Sequence, residues 1–130
     1  MCKTPTITPD FYPTFAEIAG VKITNPHRVD GESIVPLLKG QTIDRRALFW
    51  HYYPIRGKDH SGAIRNGRWK LIEFFKTQKV ELYDLANDIG ESKNLAHQYP
   101  EKVRELQYLL SQWRKEVGAM IPDDQSPVKF

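Results

Sequence analysis

The chain has 130 residues, 40% hydrophobic and 27% charged, with 19 Lys and Arg against 16 Asp and Glu for a formal charge of +3. This length suits one domain around one core, and the near-average composition suggests neither a disordered nor a membrane-spanning chain. Both signs of charge are mixed along the sequence, unlike the concentrated basic patch of a nucleic-acid binder, and a single cysteine, Cys2, excludes an internal disulfide framework.

Residues 1–9 read as an extended leading segment, with Pro5 and Pro9 interleaved with Thr4, Thr6 and Thr8. The N-terminus lacks the apolar core of a secretory signal. From Asp10, the residues Phe11, Phe15, Ile18 and Ala19 recur at helical spacing; Thr8 or Asp10 is available as cap, Pro13 falls in the first turn and Gly20 ends the helix. Residues 22 to 33 read as a loop. Ser33 then caps a short apolar run, Ile34 to Leu38, closed by Gly40.

The aromatic run Ala47 to Tyr53 predicts a strand stopped by Pro54. A polar loop from Ile55 to Ser61 follows. Gly62 to Arg65 and Trp69 to Phe75 flank Asn66-Gly67, which predicts a type I′ hairpin. A second turn at Lys76 to Lys79 leads into Val80 to Leu85, where Val80, Leu82 and Asp84 alternate with Glu81, Tyr83 and Leu85. The expectation is an antiparallel sheet of about four strands.

Residues 86 to 99 read as an irregular connection with a turn of helix near Glu91 to Leu95. The strongest helix starts at Pro100 and runs to Gly118, with an apolar stripe of Val103, Leu106, Leu109, Leu110, Trp113 and Val117. Glu101, Lys102, Arg104, Glu105, Arg114, Lys115 and Glu116 are assigned to its outer face, so the stripe should cover the sheet. The fold class expected is α+β: a four-stranded antiparallel sheet on a long C-terminal helix, with a short helical N-terminal part. The leading segment 1–9, a folded unit over 10–120 and a tail over 121–130 make up the expected organisation.

Four segments in order carry a resemblance. They are Asp10 to Gly20, ending in Ala19-Gly20; Asp30-Gly31-Glu32-Ser33 with Pro36-Leu37-Leu38-Lys39-Gly40; Leu48 to Pro54 with Ser61 to Ile72; and Glu81-Leu82-Tyr83-Asp84-Leu85 with Asp88, Glu91 and Asn94-Leu95-Ala96. Together, over roughly residues 8 to 120, they resemble the C-terminal region of the sulfatase family, arylsulfatase-like members of the alkaline-phosphatase-like superfamily. The resemblance implies a parent enzyme that hydrolyses sulfate esters with a formylglycine made from a cysteine in a C-x-P/A-x-R motif, beside a calcium ion. It also implies an N-terminal catalytic domain as partner, a sulfated substrate such as a sulfated glycan, and a periplasmic or extracellular location. No nucleic-acid or membrane partner is expected.

The catalytic motifs themselves are not found. Cys2 is followed by Lys3, Thr4, Pro5 and Thr6, which does not match the formylglycine motif. The nearest acidic cluster, Asp84, Asp88 and Glu91, has the spacing of a capped turn, whereas calcium needs several oxygen ligands. No catalytic and no metal-binding residue is therefore assigned, and the chain alone should not turn over a sulfate ester. The residues assigned to substrate are His51, Arg56, Lys58 and His60, on or beside the loop after the first strand, whose local basic bias suits an anion. For His51 the alternative is a buried hydrogen-bonding role, and for Arg65 an ion pair within the fold. Trp50, Tyr52 and Tyr53 suit a core or interdomain contact, or stacking on a sugar. Two other functions fit the same residues: an anionic-glycan binding module without catalysis, which would have to bury Phe11, Phe15 and Ile18 within this chain, or the C-terminal part of a related phosphatase or phosphodiesterase.

Overall fold

A computed structural model describes residues 2, 4–24, 29–44, 47–53 and 59–119. They belong to two compact units, Met1–Arg45 and Arg46–Phe130. The expected tail over 121–130 lies outside the described residues.

In the first unit, a 3-10 turn over Thr8–Asp10 runs directly into helix α1, Phe11–Ile18. The leading segment is thus already helical at Thr8. Asp10 does not cap α1 with its side chain. Instead its fully buried carboxylate accepts the backbone N–H of Ile7 at 2.8 Å and of Glu32 at 3.0 Å. Thr14 extends this knot, its hydroxyl donating to the carbonyl of Asp10 at 2.6 Å and accepting the N–H of Ile34 at 3.0 Å. Gly31 is required where it stands, since a Cβ there would lie 2.1 Å from the carbonyl oxygen of Pro9. Asp10 and Gly31 thus pin the loop that leads into α2, Val35–Leu38, whose first N–H reaches the Ser33 hydroxyl at 3.3 Å.

The second unit is the expected α+β sheet and helix. Strands β1 (Leu48–Tyr52), β2 (Ser61–Asn66), β3 (Trp69–Phe74) and β4 (Val80–Asp84) form an antiparallel meander in the order β1-β2-β3-β4. Helix α3, Pro100–Val117, crosses one face. Register explains the core: Phe49 pairs with Ile64, Ile64 with Leu71 and Leu71 with Leu82, so one row of side chains faces the helix. Ile64, Leu71 and Leu82 meet Leu106 and Leu110 of α3, all five with 0% exposure. Each contributes on the order of 1.5–3 kcal/mol by leaving water. At the edge, Phe49 stacks on Trp113 with ring centroids 5.0 Å apart.

Three local expectations are corrected. In the hairpin, Asn66 is the last strand residue, paired with Trp69, and the loop is Gly67-Arg68. Gly67 has φ 58° and Asn66 has no positive φ, the pattern of a loop with glycine first rather than a type I′ turn. No helical turn forms over 91–95, because Asn94 bonds the edge of β4 instead. Its Oδ1 accepts the N–H of Leu82 at 3.1 Å, its amide donates to the carbonyl of Val80 at 3.3 Å, and the N–H of Leu95 reaches the carbonyl of Leu82 at 2.7 Å. Arg114 belongs to the buried face of α3, since it continues the series Leu106, Leu110 at intervals of four. Among the described residues no helix is long and apolar enough to cross a membrane.

Candidate functional site

Two of the four substrate candidates are described, and both lie at the β1–β2 loop end of the sheet. His51 pairs with Gly62 on the face that carries Phe49, and its ring sits 5.7 Å from that of Phe75. It therefore points to the helix side. His60 is half-buried, its ring 4.1 Å from Tyr53 and its carbonyl accepting the N–H of Phe75 at 2.9 Å. Arg56 and Lys58 lie outside the described residues.

The same end of the sheet holds two anchors that sequence reading missed. Asp59 grips the β3–β4 turn, accepting the N–H of Lys76 at 2.8 Å, the N–H of Thr77 at 3.1 Å and the Thr77 hydroxyl at 2.7 Å. The Thr77 hydroxyl, ahead of the backbone donors, holds the Asp59 carboxyl below its ordinary value. Nothing periodic marks Asp59, because its partners are 17 and 18 residues away. Arg114 reaches Glu73 at 2.8 Å, with side-chain exposures of only 10% and 13%. Its guanidinium also lies 5.3 Å from the Phe75 ring, while Nε is buried with no hydrogen-bond partner among the described residues. Phe75 thus has the Arg114 guanidinium and the His51 ring as neighbours.

The acidic cluster after β4 is committed to a turn. Asp84 pairs with Arg68, at 2.6 Å to its Nε, and also accepts the N–H of Ala86 at 3.2 Å and the amide of Asn87 at 2.9 Å. Arg68, as the strongest influence, holds the Asp84 carboxyl below its usual value. Asp88 accepts the N–H of Lys93 at 2.9 Å and the Ser92 hydroxyl at 3.0 Å, and the Lys93 backbone bond leads in lowering its pKa. Glu91 meets Lys70 at 2.6 Å. Among the described residues no group of three or more His, Cys, Asp or Glu side chains is placed to hold a metal ion. These residues do not fit the calcium that the resemblance implies.

The sheet face away from α3 is different in character. Trp50 and Tyr52 of β1, Ser61, Ala63 and Arg65 of β2, and Lys70 and Ile72 of β3 share it by strand alternation. With Leu85, Ile89 and Glu91 they line a groove of about 430 Å³. Trp50 is 40% exposed, Tyr52 53% and Ile89 77%. Tyr83, on the same face of β4, is buried, and burial together with its bond to Glu81 at 2.9 Å pushes the phenol up to about 12. Arg65, expected to pair with a carboxylate inside the fold, has no ion pair among the described residues. Its Nε donates to the carbonyl of Gly67 at 3.3 Å.

Comparison with known proteins decides the family. Residues 5–116 match the family described as N-sulphoglucosamine sulphohydrolase, C-terminal. The chain belongs to this family. A sulfatase of Formosa agariphila is 37% identical over 107 residues, covering 73% of this chain and 19% of that protein. An N-acetylglucosamine-6-O-sulfatase of Bacteroides thetaiotaomicron is 35% identical, over 93% of this chain and 23% of its own length. Among solved structures, one determined in complex with its substrate D-glucosamine-2-N,6-O-disulfate superposes with TM-score 0.70 at 31% identity, covering 90% of this chain and 25% of the other. A phosphonate monoester hydrolase of Silicibacter pomeroyi, at 23% identity and TM-score 0.62, shares the fold. This sulfatase C-terminal domain thus spans about a fifth of the curated relatives it matches.

Proposed function

We propose that this domain is part of a sulfuric ester hydrolase acting on a sulfated sugar, with the nucleophile and the metal supplied by an N-terminal catalytic domain of the same polypeptide. The observation that carries this is the family match over residues 5–116, supported by sulfatase relatives about four times as long. A formylglycine and a calcium ion would supply nucleophile and charge stabilisation there; no residue described in this chain is assigned to either. The domain's contribution is scaffold and one wall of the substrate cleft. His51, Arg56, Lys58 and His60 are the residues proposed to meet the substrate, by hydrogen bonding and by attraction for its anionic group.

A free-standing glycan-binding module is less well supported. It required Phe11, Phe15 and Ile18 to be buried within the chain, whereas they are 49%, 64% and 64% exposed. A helix that leaves its apolar stripe uncovered suits a partner domain. Export to the periplasm or cell exterior forms part of the proposal, on the resemblance alone.

The test is release of inorganic sulfate or phosphate by the full-length parent, offered D-glucosamine 6-sulfate and D-glucosamine 6-phosphate in parallel. Sulfate release in preference is expected. Phosphate release with no sulfate release would place the parent among the phosphatases. Arg56→Gln, Lys58→Gln and His60→Gln should lower kcat/KM for the sulfated sugar while leaving Tm unchanged; equal loss of both would make the loop scaffold.

A further inference from the structure

The helix-free face of the sheet combines exposed aromatics with an unmatched cation. Arg65 and Lys70 stand directly opposite one another on β2 and β3. Like charges so placed repel. Among the described residues Glu91 is the one carboxylate lining the groove, and it already meets Lys70 at 2.6 Å. The described lining therefore carries one positive charge more than it neutralises, at Arg65. Around it lie Trp50, Tyr52 and Ile72, so the surface has the Trp, Tyr and Arg composition of a binding hot spot.

We infer that this face is a docking surface for another segment of the parent polypeptide, one that presents an apolar patch with a carboxylate positioned against Arg65. The inference rests on reading the chain as part of a longer sulfatase. Relatives offer about four-fifths of their length as covering chain. Covering Arg65 with apolar groups alone would strand a guanidinium out of water, which is strongly unfavourable unless it is paired. A carboxylate accepts the guanidinium fork in two parallel hydrogen bonds and so also fixes the register of docking. A second copy of this chain fits less well, since it would set a net positive lining against itself.

The experiment measures thiol alkylation in the native full-length parent, with Cys2→Ser as background and site-resolved mass spectrometry as readout. Ser61→Cys reports on the groove, and Gln112→Cys on the exposed outer side of α3 confirms that the reagent acts. The thiol of Ser61→Cys should react at least about tenfold more slowly in the native parent than in the urea-unfolded parent, as expected for a site opened only by local unfolding. Adding Arg65→Gln should raise that native rate several-fold, and Arg65→Lys, which keeps the charge but loses the fork, should raise it less. Equal native and unfolded rates at Ser61→Cys would overturn the inference. So would a native rate that falls only when D-glucosamine 6-sulfate is added, which would make the groove a ligand site. No effect of Arg65→Gln would remove the carboxylate from the account. Alkylation is read whether or not the parent releases sulfate, so the docking surface and the sulfatase reading fail separately.

Discussion

The two faces of one sheet obey different rules. On the α3 side, Ile64, Leu71 and Leu82 are sealed by Leu106 and Leu110. The charges that reach this side arrive paired, Arg114 with Glu73. On the other side, Trp50, Tyr52 and Ile89 remain open, and Arg65 faces Lys70 with Glu91, bonded to Lys70, as the single carboxylate among the described lining residues. The first face is complete within the chain. The second is built to be completed, and a glance at composition would not separate them, since both are rich in aromatic and aliphatic residues.

This contrast can be broken most forcefully at the sealed face. Leu71→Ala, at the centre of the buried row, should cost about 4 kcal/mol in urea unfolding of the chain, the upper range for a cavity that cannot collapse. A cost below about 1 kcal/mol would mean that the row is not a rigid core. Next in size, Glu73→Ala should cost about 3 kcal/mol because it leaves the Arg114 guanidinium buried without its partner. Pairing it with Arg114→Met should recover most of that loss; failure to recover would show that the arginine's packing on Phe75, not its charge, carries the effect. Asn94→Ala should cost about 1–2 kcal/mol by leaving the N–H of Leu82 unsatisfied.

A smaller effect belongs to the open face. The Tyr83 phenol has a folded pKa of about 12 against an ordinary value of 10.0. A raised folded pKa gives stability that is complete below the unfolded value and lost as pH climbs toward the folded one. The stability difference between the chain and its Tyr83→Phe variant should therefore hold steady below pH 10 and shift against Tyr83 between pH 10 and about 12. A flat difference across that window would mean the phenol is free to ionise. Smallest of all, Trp50→Ala in the isolated chain should change stability by no more than about 0.5 kcal/mol, as for an uncovered surface residue. The same change in the full-length parent should cost several times more if the face is covered there.

Much of the sealed face was legible in the sequence. The stripe from Val103 to Trp113, the proline that starts α3 and the alternation around Leu82 follow directly from helical and strand periodicity. What periodicity misses is a polar side chain with a distant partner. Arg114 reads as an exposed charge because the residue that makes its burial tolerable, Glu73, lies 41 positions earlier. Asn94 falls in a stretch that reads as a turn of helix but spends its amide on β4. The candidate site was legible only in part for the same reason: strand parity alone turns His51 toward the helix, while its neighbours Trp50 and Tyr52 turn to the groove. Arg65 invited an internal ion pair, and only the fold shows that none of the described carboxylates meets it.

The central claim is that this domain completes a sulfatase without carrying its chemistry. The most direct measurement is inorganic sulfate released from D-glucosamine 6-sulfate by the 130-residue chain and by the full-length parent, side by side at equal concentration. Turnover is expected of the parent and none of the chain. Sulfate release by the chain alone, or none by the parent on any sulfated sugar, would contradict it.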